Sequence, residues 1–108
     1  MFEQLLALLQ ATGIPFAAYG WDNAPNGMYG VISLDSGAGT LAGDQKIIAQ
    51  AVEGTVDLYL RDIGTEYPQT VQGVLNDMDG CAWYLNSVQY ENETRLIHWE
   101  WVIQLEMM

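Results

Sequence analysis

The sequence is poor in basic residues. Three of its 108 residues are Lys or Arg, against 14 Asp or Glu, so the formal net charge is −11. Binding to nucleic acid or to an anionic bilayer depends on clustered Lys and Arg that replace released counterions. We therefore expect no tight binding to DNA or to a membrane. The acidic residues run from Glu3 to Glu106 without an acidic tail, so we assign them to the folded surface.

Cysteine and long apolar runs are also scarce. Cys81 is the only cysteine and cannot form an internal disulfide. No apolar run approaches the roughly 20 residues of a membrane-spanning helix. The first residues form an amphipathic segment with no basic stretch before it, which predicts synthesis in the cytoplasm. The length suits one domain, residues 1–108, and the 50% hydrophobic content is enough to build its core.

Two segments have the apolar spacing of amphipathic helices. Residues 2–12 repeat apolar side chains every three or four positions and are followed by Gly13. Residues 67–78 show the same spacing, with Pro68 in the first turn and Gly80 after the last. We predict a helix in each segment.

Five segments have the composition or the alternation of β-strands. Residues 14–21 and 28–35 flank a cluster of turn-forming residues, so we expect them to pair as an antiparallel hairpin. Val52–Arg61 alternates apolar and polar side chains and is the clearest strand of the chain. Residues 44–52 suit a helix or a strand, and we favour a strand. Residues 82–90 and 96–107 predict a second hairpin.

The predicted order of elements is α-β-β-β-α-β-β. This order predicts an α+β fold, with one mostly antiparallel β-sheet and two helices packed on one face. Between the second and third strands, the segment Ser36–Gly43 holds three glycines among small residues. We expect this segment to be a mobile loop of the kind that often carries contacts.

The chain offers no recognisable catalytic motif, and we predict no cofactor and no metal. The glycines of Ser36–Gly43 lack the Gly-Lys-Ser/Thr sequence of a phosphate-binding loop. His98 is the only histidine, and Glu100 shares its strand face, but no motif ties a Ser or Cys nucleophile to them. We expect an outward, solvated His98 and a half-buried structural thiol at Cys81. The protein is therefore not predicted to be an enzyme.

The tryptophans and tyrosines point to a core and to contact surfaces. Trp99 and Trp101 lie on the apolar stripe of the last strand and are expected in the core. Trp21 falls at a strand end and fits either a core or an interface. Tyr59 is expected to face outward, where tyrosine is typical of protein contacts.

Several fragments spread over nearly the whole chain resemble a family of small tail proteins from long-tailed bacteriophages. They are Thr12-Gly13-Ile14-Pro15, Tyr29-Gly30-Val31, Gly54-Thr55-Val56-Asp57-Leu58-Tyr59, Tyr90-Glu91 and His98-Trp99-Glu100-Trp101. The sequence is similar to that of tail terminator, or tail completion, proteins. These proteins combine a sheet with two helices and form hexameric rings that cap the tail tube where it meets the head.

The resemblance implies a structural virion protein at the tail–head junction, made in the bacterial cytoplasm. Its partners would be further copies of itself, the tail tube protein and a neck or head-completion protein, while genomic DNA passes without tight binding. We expect its subunit or partner interface at Ser36, Gly37, Ala38, Gly39, Thr40, Leu41, Tyr59 and Arg61. We expect an acidic surface or lumen, from which DNA phosphates are repelled, at Asp35, Asp44, Glu53 and Asp57.

Three alternatives stay open. The chain could be another head–tail neck or connector component, which the sequence does not separate from a tail terminator. It could be an acidic inhibitor that mimics DNA, for which Glu53 and Asp57 give a short run of spaced acids. An enzyme would have to rely on His98 and Glu100.

Overall fold

One five-stranded sheet carries both helices on one of its faces. The computed structural model describes the backbone of residues 1–43 and 46–106 and the side chains of residues 1–35 and 51–106. The strand order in the sheet is β1-β2-β3-β5-β4, and the mostly antiparallel α+β fold is confirmed. The elements are α1 (Phe2–Gln10), β1 (Phe16–Ala18), β2 (Met28–Gly43), β3 (Lys46–Leu60), α2 (Glu66–Asp77), β4 (Cys81–Glu91) and β5 (Leu96–Glu106).

The core lies between the helices and the face of the sheet that they cover. Alternate residues of β3 and β5 point to this covered face, because successive side chains of a strand lie on opposite sides. The apolar stripes of α1 and α2 pack against them. Among the fully buried core residues are Leu5, Leu9, Val56, Leu58, Val71, Leu75, Trp101 and Ile103. The Trp101 indole N–H donates a hydrogen bond of 3.0 Å to Gln72 of α2, so this buried ring is also satisfied.

The expected antiparallel hairpin of residues 14–21 and 28–35 is wrong, because β1 is three residues long and runs parallel to β2. The segment after β1 returns along the sheet edge instead of turning directly into β2. Tyr19 begins this return in the left-handed region, at φ 67°, and the Trp21 indole donates a 2.9 Å hydrogen bond to the Gly30 carbonyl. Pairing with β2 and the Trp21–Gly30 hydrogen bond accompany the parallel direction of β1.

The expected mobile loop Ser36–Gly43 is also wrong, because β2 continues to Gly43. Its backbone pairs with β3 as far as Gly43↔Lys46, with three register shifts on the way. Glycine inside a strand often marks a bulge, so the glycines that suggested a loop instead accompany an irregular ladder. The preference for a strand is confirmed over residues 46–52. Asp44 lies outside the described residues.

The outer part of the β2–β3 hairpin extends beyond the described part of β5. The last described pair of β3 with β5 is Ala51↔Glu106, and residues 46–50 pair with β2. We call the segments 36–43 and 46–50 the arm. The molecule measures 51 × 26 × 26 Å along its principal axes.

The remaining boundaries agree closely with the prediction. The second helix and the last two strands each begin and end within one residue of the predicted limits, as far as the structure describes them. Gly80, at φ 77°, follows α2 as the sequence suggested. Neither α1 nor α2 has the length and the hydropathy that crossing a bilayer requires.

Substitution of Gly30 tests the close packing of this residue of β2 against Phe16 of β1. A Cβ added there would overlap the ring of Phe16, whereas a Cβ added at Gly73 of α2 meets open space. We expect Gly30→Ala to lower the free energy of unfolding by about 1–3 kcal/mol through overpacking. Gly73→Ala, the matched control, should raise it by about 0.5–1 kcal/mol because alanine favours helix. Urea unfolding monitored by tryptophan fluorescence measures both, and equal effects of the two variants would contradict the role of Gly30.

Candidate functional site

The face of the sheet opposite the helices carries the chain's only histidine. We call it the open face, and it includes Tyr29, Val31, Ser33, Thr55, Asp57, Tyr59, His98 and Glu100. Strand register places Tyr29 beside Tyr59, and Tyr59 beside His98, on three adjacent strands. The rings stack, with centroid separations of 4.7 Å and 4.3 Å. Both faces of the Tyr59 ring are therefore covered.

His98 is clamped between two carboxylates. Its Nε2 lies 2.6 Å from Asp57 Oδ1, and its Nδ1 lies 3.0 Å from Glu91 Oε2. A neutral imidazole has one N–H, so a neutral ring would direct a nitrogen lone pair at one of these oxygens. The doubly protonated ring satisfies both contacts. The expected solvated His98 is wrong, because 15% of its side chain is exposed.

The surroundings shift the pKa values of the stacked residues in a consistent way. Burial lowers the pKa of His98. The hydrogen bond and charge of Asp57, together with those of Glu91, raise this pKa by more than burial lowers it. The net result lies above the ordinary 6.5. Burial and then the charge of Asp57 raise the pKa of Tyr59 to about 12. The raised pKa of His98 favours its protonated form, and a protonated imidazole stacked over the Tyr59 ring is favourable.

A hydrogen-bond network continues from Asp57 along the open face. Thr55 donates to Asp57 Oδ2 at 3.1 Å, and the hydroxyls of Ser33 and Thr55 lie 3.2 Å apart. Glu100 stands opposite Asp57 in the register and accepts a 2.7 Å bond from Asn86. The carboxyl groups of Asp57, Glu91 and Glu100 thus surround the single imidazole of this cluster.

The geometry does not favour catalysis by His98. Both of its ring nitrogens are engaged by carboxylates, so neither is free to take a proton from a nucleophile. The nearby hydroxyl of Thr55 bonds to Asp57 rather than to the imidazole. His98 instead links β5 to β3 and β4 through its contacts with Asp57 and Glu91.

Asp57, His98 and Glu100 could together supply ligands to a divalent ion, since one ligand atom of each lies within 4.8 Å of the others. However, His98 Nε2 and Asp57 Oδ1 are only 2.6 Å apart. Two ligands with bonds of about 2.1 Å at a tetrahedral ion would be separated by about 3.4 Å. The observed spacing is that of a hydrogen bond, so a proton joins the two groups in this arrangement.

The structure separates the interface residues that the sequence suggested. The backbone of Ser36–Leu41 lies in the arm, whereas Arg61 follows the far end of β3 beside Gly27. Tyr59 lies on the open face as expected. Of the expected acids, Asp57 is engaged by His98, Glu53 shares its strand face, and Asp35 is exposed.

Sequence reasoning missed Glu91 and Tyr29 as members of the site. It paired His98 with Glu100, whereas the hydrogen bonds run to Asp57 and Glu91. The alternation of β3 and β5 had already placed Asp57 and His98 on outward faces. Only the register between the strands, which has no local signal, brings them together.

The other aromatic and sulfur residues largely follow expectation. Trp101 is fully buried, and Trp99 packs against the core from a partly buried position. Trp21 was expected in a core or at an interface. Its indole is partly buried and donates a hydrogen bond to the Gly30 carbonyl, which joins the segment after β1 to β2. The half-buried Cys81 is confirmed, and burial raises the pKa of its thiol.

The comparisons with known proteins do not add a relative. No family model matches the chain, and no curated protein matches its sequence.

The contacts of His98 with Asp57 and Glu91 predict how the stability of the fold depends on pH. His98 faces Asp57 and Tyr59 from β3, Glu91 from β4 and Glu100 from its own strand. Because the folded pKa is raised, protonated His98 stabilises the fold fully below pH 6.5. That stabilisation disappears as pH rises through the raised pKa. The free energy of unfolding should therefore fall with rising pH, by at most about 1.4 kcal/mol per pH unit.

His98→Gln should flatten this part of the stability curve, measured by urea unfolding at pH values from about 6 upward. NMR titration of the single imidazole reports its pKa directly, and Glu91→Gln should lower that pKa. Two results would contradict a protonated His98: a free energy of unfolding that rises with pH over this range, or the same pH dependence of that free energy in His98→Gln.

Proposed function

We propose that this chain is a structural subunit of a long-tailed phage, a tail terminator or completion protein. Copies of it assemble into a ring, hexameric by the resemblance, that caps the tail tube and joins it to the head. Its mechanism is binding, with no chemical reaction. The sequence resemblance suggests this role, and the β2–β3 arm is the structural observation that supports it best.

Within the described residues, the arm is a ribbon of two strands. Residues 46–50 pair with β2, and the last described pair between β3 and β5 is Ala51↔Glu106. A two-stranded hairpin is marginally stable by itself in water, so a ribbon of this kind gains from a partner surface. A neighbouring subunit would supply that surface in a ring. An arm received by a different patch on the next copy makes a heterologous contact, and such contacts close into rings.

The edge strand β4 offers a second assembly surface. It contains no Lys, Arg or Pro, the residues that commonly protect a sheet edge from pairing with another chain. Four of its large side chains are 40–60% exposed: Tyr84, Leu85, Val88 and Tyr90. Exposed apolar side chains along an open edge are typical of a contact surface. We assign this edge to the tail tube or the neck.

The acidic composition suits a ring through which DNA passes. A net charge of −11 repels phosphate, so an acidic lumen would not retain the genome. The exposed Asp35 and the open-face Glu53 are candidates for such a lining. Asp57 is a weaker candidate, since His98 already neutralises part of its charge.

Shortening the arm tests this assignment. Replacing residues 38–51 by Asn-Gly should close β2 and β3 with a two-residue turn and leave the helices and β5 in place. We expect a folded monomer, where the full chain forms rings visible by electron microscopy. Native mass spectrometry gives the subunit number, and circular dichroism reports the fold. In a second assay, the full chain should bind the ends of purified tail tubes and the shortened chain should not.

Two results would count against the proposal. A full-length chain that stays monomeric at high concentration and ignores tail tubes would remove it. Rings that bind isolated heads but never tubes would instead favour the alternative, another neck or connector component.

A further inference from the structure

Both arginines of the chain line one hollow, at the end of the sheet where β2 and β5 begin and β3 ends. We call it the arginine hollow, and its volume is about 540 Å³. Arg61 directly follows β3, and Arg95 directly precedes β5. These two strands pair at Leu60↔Ile97, so the register of the sheet brings both arginines to the same hollow.

Neither arginine forms an ion pair within the part of the chain that the structure describes. The ion pairs of that part are the two of His98. The acids nearest to the arginines in sequence, Asp62 and Glu93, do not pair with them. Arginine binds carboxylates through parallel hydrogen bonds, and this chain has 14 acidic residues for three basic ones. Two unpaired arginines in one hollow therefore suit carboxylates from outside the chain.

Local backbone geometry bears on both arginines. The Nη2, Cζ and Nε atoms of Arg61 lie 3.7, 3.8 and 3.8 Å from the point where a side chain of Gly27 would begin. The guanidinium thus packs flat over Gly27, and its N–H groups are directed sideways. Arg95 has φ 59°, in the left-handed region where a turn between strands usually has glycine or asparagine. An arginine there costs some backbone energy, which a contact of its side chain can offset.

The opposite end of the sheet carries two exposed acids beside an apolar hollow. Asp79 and Glu106 line this apolar hollow together with Leu8 and Met78, and its volume is about 620 Å³. The Glu106 N–H donates a 2.8 Å hydrogen bond to the Gly80 carbonyl, which keeps the two acids next to each other. Neither acid forms an ion pair with a described residue. This end therefore offers two carboxylates, which match the two arginines in number.

The two ends of one chain cannot meet, but the ends of two copies can. Arg95 and Glu106 lie at opposite ends of β5, which is about 34 Å long at about 3.4 Å per residue. The net charge of −11 repels small free anions, whereas other contacts hold a carboxylate of a neighbouring copy close by. A second copy is therefore the favoured source of the carboxylates.

We propose that neighbouring copies join through their opposite ends, with the arginine hollow of one copy receiving the Asp79 and Glu106 carboxylates of the next. The inference rests on the proposed ring assembly and names one contact that would build it. The arm projects from the end that carries Glu106, so a neighbour docked there also lies beside the arm. The two contacting surfaces are different, so the contact is heterologous and can repeat around a closed ring.

Apolar side chains complete the contact. Exposed ion pairs alone add little affinity, because solvent and salt screen them. Ile63 lies two residues after Arg61 and is 81% exposed, and the apolar hollow has room for its side chain. Burial of Ile63 against Leu8 and Met78 provides apolar stabilisation, while the charges fix the orientation of the two copies.

Charge reversals on the two surfaces of the full chain test the contact. The acceptor variant combines Arg61→Glu with Arg95→Glu and places acids on both sides of the contact. The donor variant combines Asp79→Arg with Glu106→Arg and places bases on both sides. Each should weaken the contact between copies by at least about 10-fold, because like charges then face each other. Thermal unfolding of each variant checks that the fold is intact.

A chain that carries all four reversals gives the decisive readout. It restores opposite charges across the contact and has the same net charge as the unaltered chain. Native mass spectrometry should show that it assembles as the unaltered chain does. An equimolar mixture of the acceptor and donor variants should also assemble, with the two variants alternating.

A single substitution with a matched control separates the contact from the effect of net charge. Arg95→Gln removes one cation from the arginine hollow and should weaken the contact by about 2- to 5-fold. Gln69→Glu changes the net charge by the same amount on the exposed surface of α2. It should leave the assembly unchanged.

The outcomes distinguish this contact from the proposed function. If the unaltered chain forms rings and neither double reversal changes their stability, the contact is wrong and ring assembly stands. Loss of rings in both double reversals, without recovery in the chain with all four, would also overturn it, since these groups would then not face one another. An unaltered chain that is monomeric and does not bind tail tubes would remove the proposed function itself.

Discussion

The structure depends on a sheet that is covered on one face only. Because strand residues alternate between faces, covering one face with α1 and α2 sends every second residue of β3 and β5 to the open side. The buried set, with Trp101 and Leu58 at its centre, provides the apolar burial that stabilises the fold. The other set is then held in fixed register without a layer above it. His98, Asp57 and Tyr59 meet on the open face as a consequence of that register.

Much of this could be read from local patterns. The periodicity of α2, the alternation of β3 and the polar turn before β5 each have a short-range cause, so their positions were predicted well. The direction of β1 has no such signal, since a strand of three residues is too short to carry a pattern and its parallel pairing appears only in the register with β2. The arm was misread because glycine accompanies both flexible loops and strand bulges, and only pairing with β3 distinguishes the two.

In the candidate site, too, local alternation predicted which face the residues lie on, but it did not predict which residues are in contact. Outward positions for His98 and Asp57 followed from alternation, but their contact joins residues 41 positions apart. Sequence proximity favoured Glu100 as the partner of His98, whereas β-sheet geometry places neighbours across strands at closer range than residues two apart on one strand. Glu91 lies at the end of β4, and only the β4–β5 pairing brings it to His98. Non-local register therefore determines the chemistry of this face.

Charge sets the last constraint on assembly. Copies that each carry −11 repel one another, and at physiological ionic strength this repulsion is screened over about 8 Å. Surfaces that come into contact approach more closely than that, so a stable ring of such copies needs either an apolar interface or a cation at the contact. The exposed edge of β4, which carries Tyr84, Leu85, Val88 and Tyr90, offers an apolar interface of this kind.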